Sequence, residues 1–268
     1  MHDFYEIIFI SIGHGDATLI RNKNNQQTAL IDAGKAKPVL SVFRESDDLK
    51  AIFITHWDKD HYYGMPSILK SLLSQCKKNI KVYINRQYPR SRAALRFRRT
   101  LAEAKENGTI IIDHAYANDP QINMLGGRFI ILWPEHDTGI LNTQTNIDSI
   151  VVRFNVAELG ILFGGDAIGS AWSQIPPNEL KALILRFPHH GGNLSNGPNS
   201  RTCEELISDV DPLFIIISAR KHDPNHPSAE FKNAMKNHPD RHFLFTAEGN
   251  VNMHVERKAD NKLNITVN

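Results

Sequence analysis

The sequence predicts an α+β fold in which two stacked β-sheets carry helices on their outer faces. Three observations lead there. Short apolar runs recur along the 268 residues, many of them apolar at every position, as strands covered on both faces are. Helical patterns fall between these runs. No Gly/Ser/Pro-rich linker, internal repeat or low-complexity tract divides the chain, so a single domain over residues 1–268 is expected.

Strands are expected at 6–12, 17–21, 28–31, 51–55 and 81–84, then at 110–113, 129–132, 149–155 and 160–163, and finally at 182–186, 213–218, 242–246, 251–255 and 263–267. Pro66 suits the first turn of a helix over 67–75. A longer helix is expected over 91–106. In it Ala94, Phe97, Leu101 and Ala104 share one face and Arg92, Arg96 and Arg99 the other, and Asn107 with Gly108 ends it. Further helices fit 203–208 and 228–237.

Composition narrows the function classes. With 41% apolar and 22% charged residues the chain is not disordered. No apolar run approaches the roughly 20 residues of a membrane helix. The first ten residues hold Asp3 and Glu6 and no Lys or Arg, against a secretory signal. Two cysteines, Cys76 and Cys203, make neither a disulfide framework nor a Cys-based zinc site. A cytoplasmic location is the expectation. The 13 histidines are the first positive hint, since His is the commonest metal ligand. The formal charge of +2 conceals an asymmetry: residues 77–105 carry ten Lys or Arg against Glu103 alone. A basic block on an otherwise acidic body suits an anionic partner.

Four segments carry the chemistry. Thr55-His56-Trp57-Asp58-Lys59-Asp60-His61 places four potential ligands just after an apolar strand. Imidazole nitrogens with carboxylate oxygens suit Zn, Mn or Fe better than Ca, and the tight spacing suggests two adjacent metals. Phe163-Gly164-Gly165-Asp166 ends another strand in a turn where Asp166 can offer an oxygen to each metal. Arg186-Phe187-Pro188-His189-His190-Gly191-Gly192 brings paired histidines to a third strand end, and His222-Asp223-Pro224-Asn225-His226-Pro227 follows a fourth. The last of these is equally well read as a surface turn. If the sheets bring these ends to one edge, they build one cluster.

In this order the motifs resemble the metallo-β-lactamase superfamily, and within it the C-terminal hydrolase domain of ComEC-type competence proteins. Ile12-Gly13-His14-Gly15-Asp16-Ala17 is similar to that family's VGQGDA turn, with His14 where Gln is usual. Leu30-Ile31-Asp32-Ala33-Gly34 resembles its strand and turn before the metal loop, and residues 55–61 resemble its HxHxDH loop with Asp58 for the second His. Asn146-Ile147-Asp148-Ser149-Ile150-Val151 resembles its Asn-x-x-Ser-Leu-Val strand. The resemblance implies an αββα sandwich binding two divalent ions, Zn or Mn. His56 and Asp58 would hold one and Asp60 and His61 the other, with Asp166 bridging and His189 a further ligand. His190 and His226 would touch the scissile phosphate or protonate the leaving group, and Asp60 would be essential to catalysis. The superfamily's third-motif His has no counterpart in that motif. His114 and His136 lie in the interval, and Asp148 is an alternative. Asp58 in place of His hardens its site and favours Mn.

The function expected is a metal-dependent hydrolase using a metal-activated hydroxide, as a phosphodiesterase or nuclease. Its basic segment, with Arg92, Arg96 and Arg99, would track nucleic acid or another phosphodiester, and Tyr88 and Phe97 would stack bases. The alternatives are hydrolysis of a small substrate (a cyclic nucleotide, phosphocholine ester or lactone) and a non-catalytic partner-binding module. No membrane association is expected. A partner subunit in a larger defence or DNA-processing system is a further expectation.

Overall fold

A computed structural model describes residues 4–87, 89–136, 146–258 and 262–268. The first sheet contains β1 Phe4–Phe9, β2 Ala17–Asn22, β3 Gln27–Ala33, β4 Asp48–Ile54, β5 Ile80–Ile84, β6 Ile110–His114, β14 Val251–Arg257 and β15 Leu263–Val267. The second contains β7 Ile122–Met124, β8 Gly127–Trp133, β9 Val151–Val156, β10 Leu159–Phe163, β11 Ile184–Arg186, β12 Phe214–Ile217 and β13 His242–Phe245. Their orders are β15-β14-β1-β2-β3-β4-β5-β6 and β13-β12-β11-β10-β9-β8-β7. Every expected strand is present, most with shifted ends and β15 at the expected bounds. Short β7 is an addition, since three residues carry too little pattern to read.

The period of two decides the layers. In β1, Tyr5, Ile7 and Phe9 point into the core between the sheets, while Ile8 points outwards beneath the helices. In the second sheet Phe154, Ile161 and Phe163 face inwards and Leu162, Leu185 and Ile215 face outwards. Full burial of each such side chain is worth about 1.5–3 kcal/mol. On the first sheet lie α1 Ala36–Val42, α3 Met65–Ser74 and α4 Arg92–Glu106, with one-turn α2 Lys59–Tyr62 beside them. On the second lie α5 Gly169–Trp172, α6 Pro177–Leu180, α7 Cys203–Val210 and α8 Ala229–Asn237. This is the αββα arrangement expected. Ser91 starts α4 by accepting the Ala94 N–H, and Thr202 with Glu205 forms a capping box on α7. No described helix is long and apolar enough to cross a membrane.

Strand direction positions the site. β3, β4, β5 and β6 run parallel in one sheet, and β10, β11, β12 and β13 run parallel in the other. Parallel neighbours end on the same edge, so the turns after β3, β4, β10, β11 and β12 meet there.

Candidate metal centre

The centre is built on the turn after β4. Asp32, near the end of β3, has a left-handed φ of 56° and receives three polar neighbours. The Thr55 backbone N–H reaches it at 2.8 Å, the Thr55 hydroxyl at 2.7 Å and His61 Nδ1 at 2.8 Å. With Nδ1 engaged, His61 turns Nε2 to Asp166 Oδ1 at 3.1 Å. His56 lies beside it, ring centroids 4.1 Å apart, with Nε2 3.6 Å from Asp166 Oδ2 and 3.7 Å from Asp58 Oδ2.

Asp166 enters from the turn after β10. Gly165 precedes it with φ 50°, and a Cβ there would sit 2.3 Å from Ser149 Oγ and 2.7 Å from Thr55 Cβ. Only glycine fits this approach. The same Ser149 hydroxyl accepts the Asp166 N–H at 3.0 Å and fixes the carboxylate's direction.

His190 comes from the turn after β11, where it and His189 both adopt left-handed φ, 55° and 50°. Its Nε2 lies 3.1 Å from Asp60 Oδ2 and 3.6 Å from Asp166 Oδ1. Its Nδ1 faces Ser218 Oγ at 3.0 Å and Asp16 Oδ1 at 3.3 Å. Buried Asp16 also accepts from the Ser218 hydroxyl and from Arg186 Nη2. Asp60 is pinned through its backbone: its carbonyl accepts the Asp16 N–H at 3.1 Å. A Cβ on Gly15 or Gly34 would come within 2.4 or 2.0 Å of that carbonyl oxygen.

Charge is concentrated here. Burial by itself would raise Asp166 and Asp60, but facing imidazoles pull Asp166 well below the carboxylate range and Asp60 to about 2. Burial would lower His190, yet Asp166, Asp16 and Asp60 push it up to about 10. Asp166 and Asp32 likewise raise His61 against its burial.

Two donor groups result: His56, Asp58 and Asp166, and Asp60, His61, Asp166 and His190. His56 Nε2, His61 Nε2 and Asp166 Oδ1 are buried without a hydrogen bond. The separations of 3.1–3.7 Å given above are close to the edges of about 3.0–3.4 Å between donors on an ion with bonds of about 2.1 Å. A nitrogen and oxygen set of this kind fits a divalent metal such as Zn or Mn.

His56, Asp58, Asp60, His61 and Asp166 thus come together, and His190 joins them. His189 stands outside both groups, its ring 6.5 Å from that of His190 and 5.7 Å from that of His226. Asp148 is in neither group, and its carboxylate accepts from Gln87 Nε2 at 3.2 Å. His114 is tied to the Ile84 carbonyl at 3.0 Å, and His136 is exposed and in neither group. Arg92, Arg96 and Arg99 are exposed along α4. Phe97 corrects one expectation: it is fully buried against Trp57 and Tyr62 and so cannot stack a base. Tyr88 lies outside the described residues. Asp32, Asp16 and Ser149 are supports that sequence reasoning missed; the signal available was an acid or hydroxyl at the end of an apolar strand.

A family model described as the metallo-beta-lactamase superfamily matches residues 11–195. No match was found among curated proteins. Among solved structures, the metallo-beta-lactamase fold protein YhfI from Bacillus subtilis is similar with TM-score 0.64 and 10% identity, over 95% of this chain and 100% of that one. Human tRNase Z, short form, is similar with TM-score 0.50 and 15% identity, over 78% and 91%. Zn(2+)-bound PqqB from Methylobacterium extorquens is similar with TM-score 0.51 and 8% identity, over 91% and 98%.

Proposed function

This chain belongs to the metallo-beta-lactamase superfamily, mainly metal-dependent hydrolases, and on that footing we propose that it is a two-metal phosphodiesterase acting on nucleic acid. Within the superfamily we place it with the ComEC-type hydrolase domains, on the turn at 12–17 and the loop at 55–61.

The observation that carries the reading is the orientation of Asp166. It turns Oδ2 to His56, and Oδ1 to His61 and His190. One carboxylate between two donor groups is the arrangement that holds two cations side by side. His56 and Asp58 complete one group, and Asp60, His61 and His190 the other. A metal pair held there would supply Lewis acidity for a phosphoryl centre and would lower the pKa of a water towards about 7. Asp32 and Asp16 keep His61 and His190 turned with Nε2 inwards. His189, beside the pair but outside it, is the imidazole we assign to the substrate phosphate.

Nucleic acid is chosen on this chain's own charge. Arg92, Arg96 and Arg99 form an exposed row on α4, and α4 packs through Phe97 on the metal loop itself. An exposed row of three guanidinium groups suits the phosphates of a nucleic-acid backbone. A partner subunit in a defence or DNA-processing assembly is part of the same reading.

The test combines metal content with cleavage of single- and double-stranded DNA, RNA, a cyclic dinucleotide and a chromogenic phosphodiester. Expected is Mn²⁺- or Zn²⁺-dependent cleavage of a polynucleotide, abolished by Asp60→Ala and by Asp166→Ala. Metal-loaded protein that cleaves no phosphodiester overturns the reading. Cleavage confined to small esters, indifferent to loss of the three arginines, transfers the activity to a small substrate.

A further inference from the structure

We propose that His14, Asp223 and His226 form a third divalent-cation site, of the zinc class, beside the metal pair and separate from it. The inference does not depend on the phosphodiesterase reading. His14 stands in the turn between β1 and β2, and Asp223 and His226 in the segment between β12 and α8. One donor atom from each lies within 4.8 Å of the other two.

The two nitrogens of His14 face different carboxylates. Nε2 is 3.5 Å from Asp60 Oδ2 and Nδ1 is 3.4 Å from Asp223 Oδ2. Nδ1 is buried and makes no hydrogen bond. An imidazole whose proton sits on Nε2, towards Asp60, turns a lone pair at Nδ1 towards a lone pair on Asp223. In that tautomer the two donors face each other with no proton between them, and a cation would satisfy both. The spacing suits one: donors on a tetrahedral ion with bonds of about 2.1 Å are about 3.4 Å apart.

Asp223 is held rigidly for the purpose. Its Oδ1 accepts the backbone N–H of Asn225 at 2.9 Å and of His226 at 3.0 Å, and Oδ2 accepts Arg220 Nε at 2.9 Å. A carboxylate has about four lone-pair sites, so one on Oδ2 is left for the side that His14 faces. The Arg220 side chain is 60% exposed, so water screens its charge. His226 supplies the second imidazole, its ring 5.2 Å from that of His14 and its Nδ1 3.4 Å from Asp223 Oδ1. Two imidazoles and one carboxylate are a zinc donor set with a position left open. None of the three belongs to the two groups around Asp166.

Zinc bound per chain, counted by native mass spectrometry and by atomic spectroscopy after dialysis against buffered Zn²⁺, tests the site. Three ions are expected in the wild-type chain and two in His14→Gln and in His226→Gln. Asp166→Asn is expected to lose the pair and keep one ion, which His14→Gln added to it removes. A wild-type count of one that falls to zero in His14→Gln supports this site while removing the pair. A wild-type count unchanged in His14→Gln overturns the proposal, as does a third ion that survives both histidine substitutions.

Discussion

Phe97 of the arginine-bearing helix lies against Trp57 of the metal loop, with ring centroids 5.3 Å apart. It also stacks on Tyr62, at 5.0 Å and 13°. The helix and the loop between His56 and His61 are therefore one packed unit. Phe97→Ala is expected to cost about 3–5 kcal/mol, as large-to-small changes in a core do. Denaturant unfolding of the metal-free protein measures it. Phe97→Leu should recover much of the loss.

The Asp32 and Asp16 carboxylates reach the donor groups through His61 Nδ1 and His190 Nδ1. Asp32→Asn and Asp16→Asn are each expected to weaken metal binding by about 10–100-fold. Competition with a chromogenic chelator gives the value. A variant that binds metal as the wild type does would show that the histidine is oriented without its carboxylate.

Neighbouring histidines separate in the same assay. His190→Ala is expected to lose one ion of the pair, because Nε2 lies between Asp60 and Asp166. His189→Ala is expected to keep both and to raise KM for a phosphodiester. The reverse outcome would exchange the two assignments.

Replacing Arg92, Arg96 and Arg99 by Gln removes three exposed positive charges. The slope of log K against log salt should flatten by about 0.7 to 0.9 for each phosphate that is no longer neutralised. Binding of catalytically inactive protein to labelled oligonucleotides across a salt series measures it. Metal content should not change.

Metal uptake should strengthen as pH rises. His190 is pushed up to about 10 and so carries a proton in the metal-free protein at neutral pH, and Asp166 and Asp32 push His61 in the same direction. Binding must release such protons, each worth about tenfold in affinity per pH unit. Calorimetry in buffers of different ionisation enthalpy counts them. The metal-free fold shows the opposite trend on its alkaline side. Raised His190 contributes stability that is complete below its ordinary 6.5 and is lost as pH climbs through about 10, and His61 adds to the same trend. Asp60, drawn down to about 2, contributes stability present above its ordinary 3.8 and lost as pH falls through its lowered value. Thermal unfolding with chelator present should peak between these two limits.

Much of the site is legible without any coordinates. Residues 55–61 crowd His and Asp after an apolar strand, and the Gly-Gly-Asp turn at 164–166 offers a carboxylate where a backbone can come close. The supports are not legible. Asp32 reads as the end of a strand until Thr55 and His61 are placed against it. Phe97 reads equally as a base-stacking ring or a core ring until Trp57 is seen beneath it. Two adjacent histidines cannot be ranked by pattern, because the left-handed backbone at both residues decides which ring turns inwards.

The layers, the strand runs, the donor types and the arginine row follow from the order of residues along the chain. Each depends on the period of two or 3.6 residues or on the chemistry of one short segment, and both are local. Tertiary structure alone decided that Asp60 meets His190, 130 residues away, and that His14 faces Asp223. Such distances are set by how two sheets stack and where parallel strands end, and no local pattern carries that information.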